Sequence, residues 1–433
     1  MRYLLIRPRY KNILANLEPL GLEYVGGVLN DLEKEHLIYD EFSHINLFKK
    51  TRLRRIIKSF KPEVVGFTAH VNTVNIINKM ACIIKKLNPD IRIIVGGPHA
   101  ELNYDEFFTP CIDYIFTDSD LSSFYVAAEN NFNHDAVTNL TGVCYREKGE
   151  WFVNPKSKPA RDFNARPDRT HFYENIKKNY LIGKGRYALL KASFSCPYDC
   201  NFCYCCKMNQ GVHSERSLDD VVKEIKDIAN DKIWIVDDTF LTSRKRVEDF
   251  ITRIKEQGIS KEFMAYSRVD FIVQNEDLMP HLYEAGFRDL LVGIETFDKV
   301  YLDKYNKRTS EDVSIKAAEI LAKNKILCNG LFIVDHRFSK QDFRNMYDFI
   351  RMSKIYWCVF AIFTPLKHTN MFDEFKDRLV NYKPERLDFV HLVLKPEKMS
   401  TFMFYLRFYW LNVKCYFRLL VCYIFNKEGV RNG

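Results

Sequence analysis

The feature that narrows this chain most is one repeated pattern. From Arg186 onward, short apolar runs alternate with amphipathic stretches, predicting strands near Tyr187–Ser193, Ile233–Val236, Phe263–Ser267, Asp289–Ile294, Gly330–Val334 and Cys358–Phe363. The stretches between them have helical spacing: Leu218, Val221, Val222, Ile225 and Ile228 fall at i, i+3, i+4, i+7 and i+10, one apolar face. Parallel strands need such crossovers. Six successive β/α units predict a partial (β/α)6, TIM-like barrel over residues 186–375, with its chemistry at the carboxyl ends of the strands.

The first 129 residues read as a separate α/β unit. Val64-Val-Gly-Phe-Thr and Ile91-Arg-Ile-Ile-Val-Gly-Gly have the continuous apolar character of buried parallel strands, and Thr73–Leu87 between them predicts a helix. An open Rossmann-like sheet follows, with Gly96 and Gly97 ending a strand where a ligand lies at the carboxyl edge. Residues 130–185 read as a hairpin turning at Lys148-Gly149 and a linker; residues 376–433 read as a C-terminal helical region.

Composition excludes several classes. The 433 residues suit two or three compact units. Lys and Arg number 65 against 56 Asp and Glu, a mild excess that is no nucleic-acid footprint. The apolar run after Met1 stops at Arg7-Pro8, too short for a signal-peptide core, and no apolar stretch reaches the roughly 18 residues of a membrane span. The expected location is cytoplasmic. Twelve cysteines there do not suggest a disulfide framework, because the cytosol keeps thiols reduced; metal ligation is the better question.

The answer lies after the first strand of the second region, at Cys196-Pro-Tyr-Asp-Cys200-Asn-Phe-Cys203. Three cysteines at this spacing wrap one loop around an iron–sulfur cluster and leave one iron without a protein ligand. A structural zinc would need a fourth ligand, from Cys205, Cys206 or a distant histidine. Cys-x3-Cys-x-aromatic-Cys, with Phe202 in the aromatic slot, resembles the signature of the radical S-adenosylmethionine superfamily. The resemblance implies a [4Fe-4S] cluster on Cys196, Cys200 and Cys203. Its open iron chelates S-adenosylmethionine, and reduction yields a 5′-deoxyadenosyl radical that takes hydrogen from unactivated carbon. It also implies an external one-electron reductant such as flavodoxin or ferredoxin. Cys205 and Cys206 read as small side chains behind the loop.

Further residues follow the other strands. Asp237 and Asp238 stand where many superfamily members have a segment that meets the methionyl amine, although Asp also caps helices. Arg268 suits a cofactor carboxylate or a salt bridge to Asp270. Val292-Gly-Ile-Glu295-Thr resembles the family's Val-Gly-Ile-Glu-Ser segment, which places Glu295 near the cofactor ribose or methionyl group. Ile333 falls on the strand whose backbone meets adenine in relatives. Asp335 replaces a glycine there. Lys367 and His368 replace the Pro-Gly of a Thr-Pro-Leu-Pro-Gly-Thr segment, so His336, Lys367 and His368 are substrate candidates.

The N-terminal unit followed by this barrel resembles the cobalamin-binding-domain class of the superfamily, including hopanoid and lipid-tailoring enzymes. Glu18-Pro-Leu-Gly-Leu-Glu-Tyr, Val64-Val-Gly-Phe-Thr and Gly96-Gly-Pro-His match segments of that class, although no Asp-x-His-x-x-Gly is present. This implies cobalamin near Gly96 and Gly97, and methyl transfer to a small-molecule or lipid substrate. The alternative is cobalamin-independent rearrangement, ring formation or carbon–carbon coupling. Of other classes, a zinc-stapled binding module and an iron–sulfur electron carrier remain; the barrel and the acidic strand ends have no use in either. In the tail, Met399–Asn426 is aromatic and free of Asp and Glu, with Arg407, Lys414 and Arg418 at i, i+7 and i+11. This is an amphipathic helix that either touches an anionic membrane surface or closes the barrel with its cations reaching water.

Overall fold

The computed structural model describes residues 1–11, 15–44, 49–163 and 165–425. The chain divides into two compact units. One comprises residues 1–189, 193–195 and 207–216; the other, residues 190–192, 196–206 and 217–433.

The first unit is built on strands β1 (Arg2–Arg7), β2 (Glu35–Asp40), β3 (Val64–Thr68), β4 (Arg92–Gly96), β5 (Tyr114–Phe116), β6 (Val143–Glu147) and β7 (Glu150–Val153), in the order β2-β1-β3-β4-β5-β6-β7. β2 through β5 pair in parallel; β6 and β7 are antiparallel additions. The expected hairpin therefore extends this sheet, and Lys148 and Gly149 both take positive φ at its turn (50° and 92°), as a two-residue connection requires. Helix Val74–Leu87 buries Val74, Ile77, Met80, Ala81 and Ile84 against one sheet face. The order reverses between β1 and β3, since β2 lies on one side of β1 and β3 on the other. That is the switch point where ligands bind in such sheets.

One expectation is corrected here. Cys82 on that helix and Cys111 are joined as a disulfide; their Cα atoms lie 5.0 Å apart, within bridging range. Spacing in sequence carries no sign of this pair.

The second unit holds a six-stranded sheet in sequential order: β8 (Ala188–Leu190), β9 (Lys232–Ile235), β10 (Glu262–Arg268), β11 (Phe287–Glu295), β12 (Leu327–Val334) and β13 (Trp357–Ile362). β9 to β13 pair in parallel. Each strand begins or ends within a few residues of its predicted span, and helices join them. The helix at Leu218–Asp227 buries Val221, Val222 and Ile225, as its spacing predicts.

The tail departs from expectation. Helix Thr401–Phe425 packs through Phe404, Phe408, Leu411 and Cys415, with Phe404 edge-on to Phe343 at 5.5 Å. Two of the three cations turn to protein partners. Lys414 lies 3.7 Å over the Tyr347 ring, and Arg418 donates to the carbonyls of Ile350 and Ile355 at 3.2 Å. The helix instead exposes an apolar stripe of Phe402, Leu406, Tyr409, Trp410, Val413, Tyr416 and Phe417. The carbonyls of Ile350, near a helix end, and Ile355, ahead of β13, accept the guanidinium through charge-assisted hydrogen bonds. Among the described residues, no helix is long and apolar enough to cross a membrane.

Candidate active site

The cysteine loop, residues 196–206, belongs to the second unit and is tied to the segment after β11. Asn201 N donates to the Tyr305 carbonyl (3.0 Å) and its side-chain amide to the Lys304 carbonyl (2.8 Å); Met371 N donates to the Asn201 carbonyl (3.2 Å). Phe202 stacks edge-on against Tyr305 (5.3 Å), whose hydroxyl donates to Asp335 (2.9 Å). The aromatic slot is thus a packing anchor. It joins Ile333, Phe363, Met371, Phe375 and Leu394 in one apolar cluster.

Cys196, Cys200 and Cys203 are unbonded thiols, partly accessible, and close enough to perturb one another. Burial, with Cys203, Asp238 and Cys200 adding to it, pushes the Cys196 thiol up to about 12. Burial also raises Cys200, against the opposing pull of Lys307 and Arg268. A hydrogen bond from Cys205 lowers Cys203, so Cys205 supports the loop through Cys203. Among the described residues, no three His, Cys, Asp or Glu side chains converge on a single-ion geometry. Zinc draws its ligands to about 2.3 Å from one point, whereas a four-iron cluster spreads its thiolates over a larger body. The donor set, three mutually adjacent thiols beside two cations, fits such a cluster and its net negative charge.

Arg268, at the end of β10, is buried and fully engaged. It pairs with Asp270 (3.0–3.2 Å), donates to the Lys307 carbonyl (2.5 Å), approaches Cys200 Sγ (3.7 Å) and lies 4.2 Å over the Tyr198 ring. It therefore braces the cysteine loop. Asp237 is also buried and accepts from Ala192 N at 2.6 Å, while Asp238 is partly open beside Cys205. Of the two adjacent carboxylates, Asp238 is the more available to a ligand.

Glu295 ends β11 in the left-handed region, φ +64°, where the pairing with β12 shifts register. A non-glycine residue there is strained. Its carboxylate meets Lys307 Nζ at 2.8 Å, both side chains being at most 10% exposed. Gly293 leaves room beside them, since a Cβ there would lie 2.7 Å from Lys307 Nζ and 2.8 Å from Glu295 Oε1 and push the pair aside. Lys307 is the residue sequence reasoning missed. The signal was available, since a buried carboxylate on a strand end demands a cation.

The substrate candidates separate. His336 is fully buried, 3.1 Å from Asp335 and 3.6 Å from Glu397, between the rings of Phe363 and Phe375. Arg337 grips the same Asp335 at 2.6 and 2.7 Å. His336 is thus a buried member of this network. Lys367 is half-buried and His368 exposed at φ +67°.

In the first unit, Gly97 takes φ +100°, and a Cβ on it would lie 2.8 Å from Ala69 N and 2.9 Å from Thr68 Oγ1. Only glycine lets the loops after β3 and β4 close on each other. Ala69 N donates to the Gly96 carbonyl (2.7 Å) and His99 N to the Ala69 carbonyl (3.1 Å). Gly96 has no such need, its nearest Cβ neighbours lying at 3.8 and 3.9 Å. Beside this edge stands His70, a neutral imidazole whose ring nitrogens make no hydrogen bond among the described residues. A cofactor with a metal to be ligated, and a nucleotide tail to lie along a sheet edge, fits this glycine-closed rim.

A family model described as the radical SAM superfamily matches residues 191–350, and one described as the B12 binding domain matches residues 7–121. The anaerobic magnesium-protoporphyrin IX monomethyl ester cyclase of Rubrivivax gelatinosus is 24% identical over 92% of this chain and 74% of that protein. The hopanoid C-3 methylase of Methylococcus capsulatus is 22% identical over 92% of this chain and 76% of its own length. Among solved structures, the radical S-adenosylmethionine methyltransferase TsrM of Kitasatospora setae, with cobalamin and a [4Fe-4S] cluster bound, superposes with a TM-score of 0.71. The two are 15% identical, over 87% of this chain and 74% of that one.

Proposed function

Since this chain is a radical S-adenosylmethionine enzyme that also carries a B12-binding domain, we propose that it methylates an unactivated carbon of a lipid or other natural product. The observation that carries this is the pairing of a three-cysteine loop on one parallel sheet with a glycine-closed ligand rim on another. The radical SAM domain implies a [4Fe-4S] cluster and S-adenosylmethionine, and the B12-binding domain supports cobalamin; together these supply a hydrogen-abstracting radical and a methyl group. The chain's own residues bind and orient. Cys196, Cys200 and Cys203 hold iron, Asp238 accepts from the methionyl amine, and Glu295 with Lys307 sets the polar wall beside it. Ile333 offers backbone to adenine. Arg268 and Asp237 position the loop and the strand end, and Lys367 and His368 line the substrate side.

Residues 1–129 form the cobalamin-binding region, 130–185 the hairpin and linker, 186–375 a sheet curled into a partial barrel, and 376–433 the closing helical region. The reductant is a flavodoxin or ferredoxin. The apolar stripe on the tail suits peripheral membrane contact, which brings the enzyme to a lipid substrate. A second reading, ring formation, is favoured by the likeness to the cyclase over 92% of the chain.

The test is anaerobic reconstitution of the cluster with added cobalamin, then gel filtration with iron and cobalt analysis. Cobalt retained in proportion to protein supports methyl transfer. Iron–sulfur retained without cobalt moves the function to ring formation. Cleavage of S-adenosylmethionine that survives Cys200→Ala overturns the cluster assignment.

A further inference from the structure

We propose that His70 is a nitrogen ligand to the cobalt of a corrinoid bound at the carboxyl edge of the first unit's sheet. The inference rests on the reading that this unit binds cobalamin. It goes beyond it in naming a metal ligand where the Asp-x-His-x-x-Gly sequence, which places a histidine on cobalt in other cobalamin proteins, is missing.

Position comes first. β1 and β3 flank the point where strand order reverses, and the residues that follow them are Tyr10 and His70, whose ring centroids lie 6.2 Å apart. Ligands of open parallel sheets sit at this crevice. His70 is also fixed there. Its N–H donates to Thr73 Oγ1 (2.9 Å), its carbonyl accepts from Thr73 Oγ1 (2.8 Å) and Thr73 N (2.9 Å), and Thr73 is fully buried. The adjoining Ala69 is clamped to Gly96 and His99 on the next loop. Such a backbone presents a side chain at a set place.

The ring is prepared for a metal. It lies deep among protein atoms yet keeps some accessible surface. Neither ring nitrogen makes a hydrogen bond among the described residues, so the imidazole has a lone pair to give a metal. No proton must leave for it to bind; a ring nitrogen donates its lone pair to cobalt and a bound water departs. The neighbouring histidine is spent: His99 Nε2 is held by Glu106 at 2.8 Å and its Nδ1 faces the Asn103 amide at 3.5 Å. Among the described residues no carboxylate hydrogen-bonds the His70 ring, so it is a weaker donor than a histidine backed by one.

Cobinamide, a corrinoid with no nucleotide base of its own, makes the test clean. The full chain is loaded with cobinamide anaerobically, reduced to cobalt(II) and read by electron paramagnetic resonance. The expected spectrum carries a nitrogen superhyperfine triplet that becomes a doublet when only histidine is labelled with heavy nitrogen. The splitting disappears in His70→Ala and persists in His99→Ala. Cobalt retained by the parent chain without histidine-derived splitting overturns the inference while leaving the cobalamin reading intact, as does splitting that survives His70→Ala. If neither cobinamide nor cobalamin is retained, the cobalamin reading fails and His70 falls with it. Isotopic labelling of the parent chain keeps the outcome decisive even if His70→Ala does not fold.

Discussion

Replacing Lys307 by Met isolates the buried Glu295 carboxylate and should be among the costliest single changes in the second unit. At the observed 2.8 Å, Coulomb's law with an effective dielectric of about 20 gives about 6 kcal/mol for two unit charges. Desolvation of both groups offsets most of that, so the intact pair adds little net stability. Removing one partner is different, because the other charge stays buried uncompensated, at a cost of about 3–5 kcal/mol. The strained backbone at Glu295 and the tight fit at Gly293 leave the carboxylate little freedom to turn toward water. Hydrogen exchange of the β11 and β12 amides reads this site locally. Lys307→Met should raise exchange there in proportion to about 3–5 kcal/mol, and the double variant Lys307→Met/Glu295→Gln should recover part of the loss. A single variant within about 0.5 kcal/mol of the parent, or strictly additive effects in the cycle, would refute the account.

Three further outcomes are expected. Gly97→Ala should destabilise the rim by about 1–3 kcal/mol through the left-handed φ, with the 2.8 Å approach to Ala69 N adding to it, and should lower cobalt retention, whereas Gly96→Ala should leave both nearly unchanged; equal effects would sink the distinction. Although burial alone would raise it, the hydrogen bonds of Arg337 and His336 hold Asp335 well below the usual carboxylate range. Its contribution to stability is therefore present above the unfolded value near about 4 and lost as pH falls further toward the depressed folded value; melting curves from pH 7 down to about 2 should show that loss shrink in Arg337→Leu. Reducing the Cys82–Cys111 bond, which closes a separation of 29 residues, should destabilise the first unit by roughly 3–4 kcal/mol in the chain-entropy account, read as a lower thermal midpoint with reductant.

Both sheets were legible because period and strand length report burial directly. Val64-Val-Gly-Phe-Thr and the spacing at Leu218–Ile228 leave few alternatives once parallel strands need helical crossovers. The tail was legible as a helix and misread in its faces. Three cations on one side suggest a wet side only if no neighbour offers acceptors, and Tyr347 and the carbonyls of Ile350 and Ile355 do. The disulfide was hidden for a related reason: Cys82 and Cys111 become neighbours only when the helix lies on the sheet.

The site divides along the same line. The cysteine loop could be read because all three thiols share one short segment, and Phe202 because its slot belongs to that segment. Arg268, Glu295 and His336 were found as chemistry-bearing residues at strand ends, but what each does depends on residues elsewhere in the chain: Asp270, Tyr198 and Lys307 for Arg268, Lys307 for Glu295, Asp335 and Glu397 for His336. A charged group whose partners are already inside the protein has less to give a ligand than one without them, and this orders the remaining candidates. Asp238, partly open beside the cysteine loop, and His70, recessed with no hydrogen bond to its ring nitrogens among the described residues, rank above Arg268, whose guanidinium is spent on the fold. Sequence identified which side chains carry chemistry; the packing decides which of them still has it to offer.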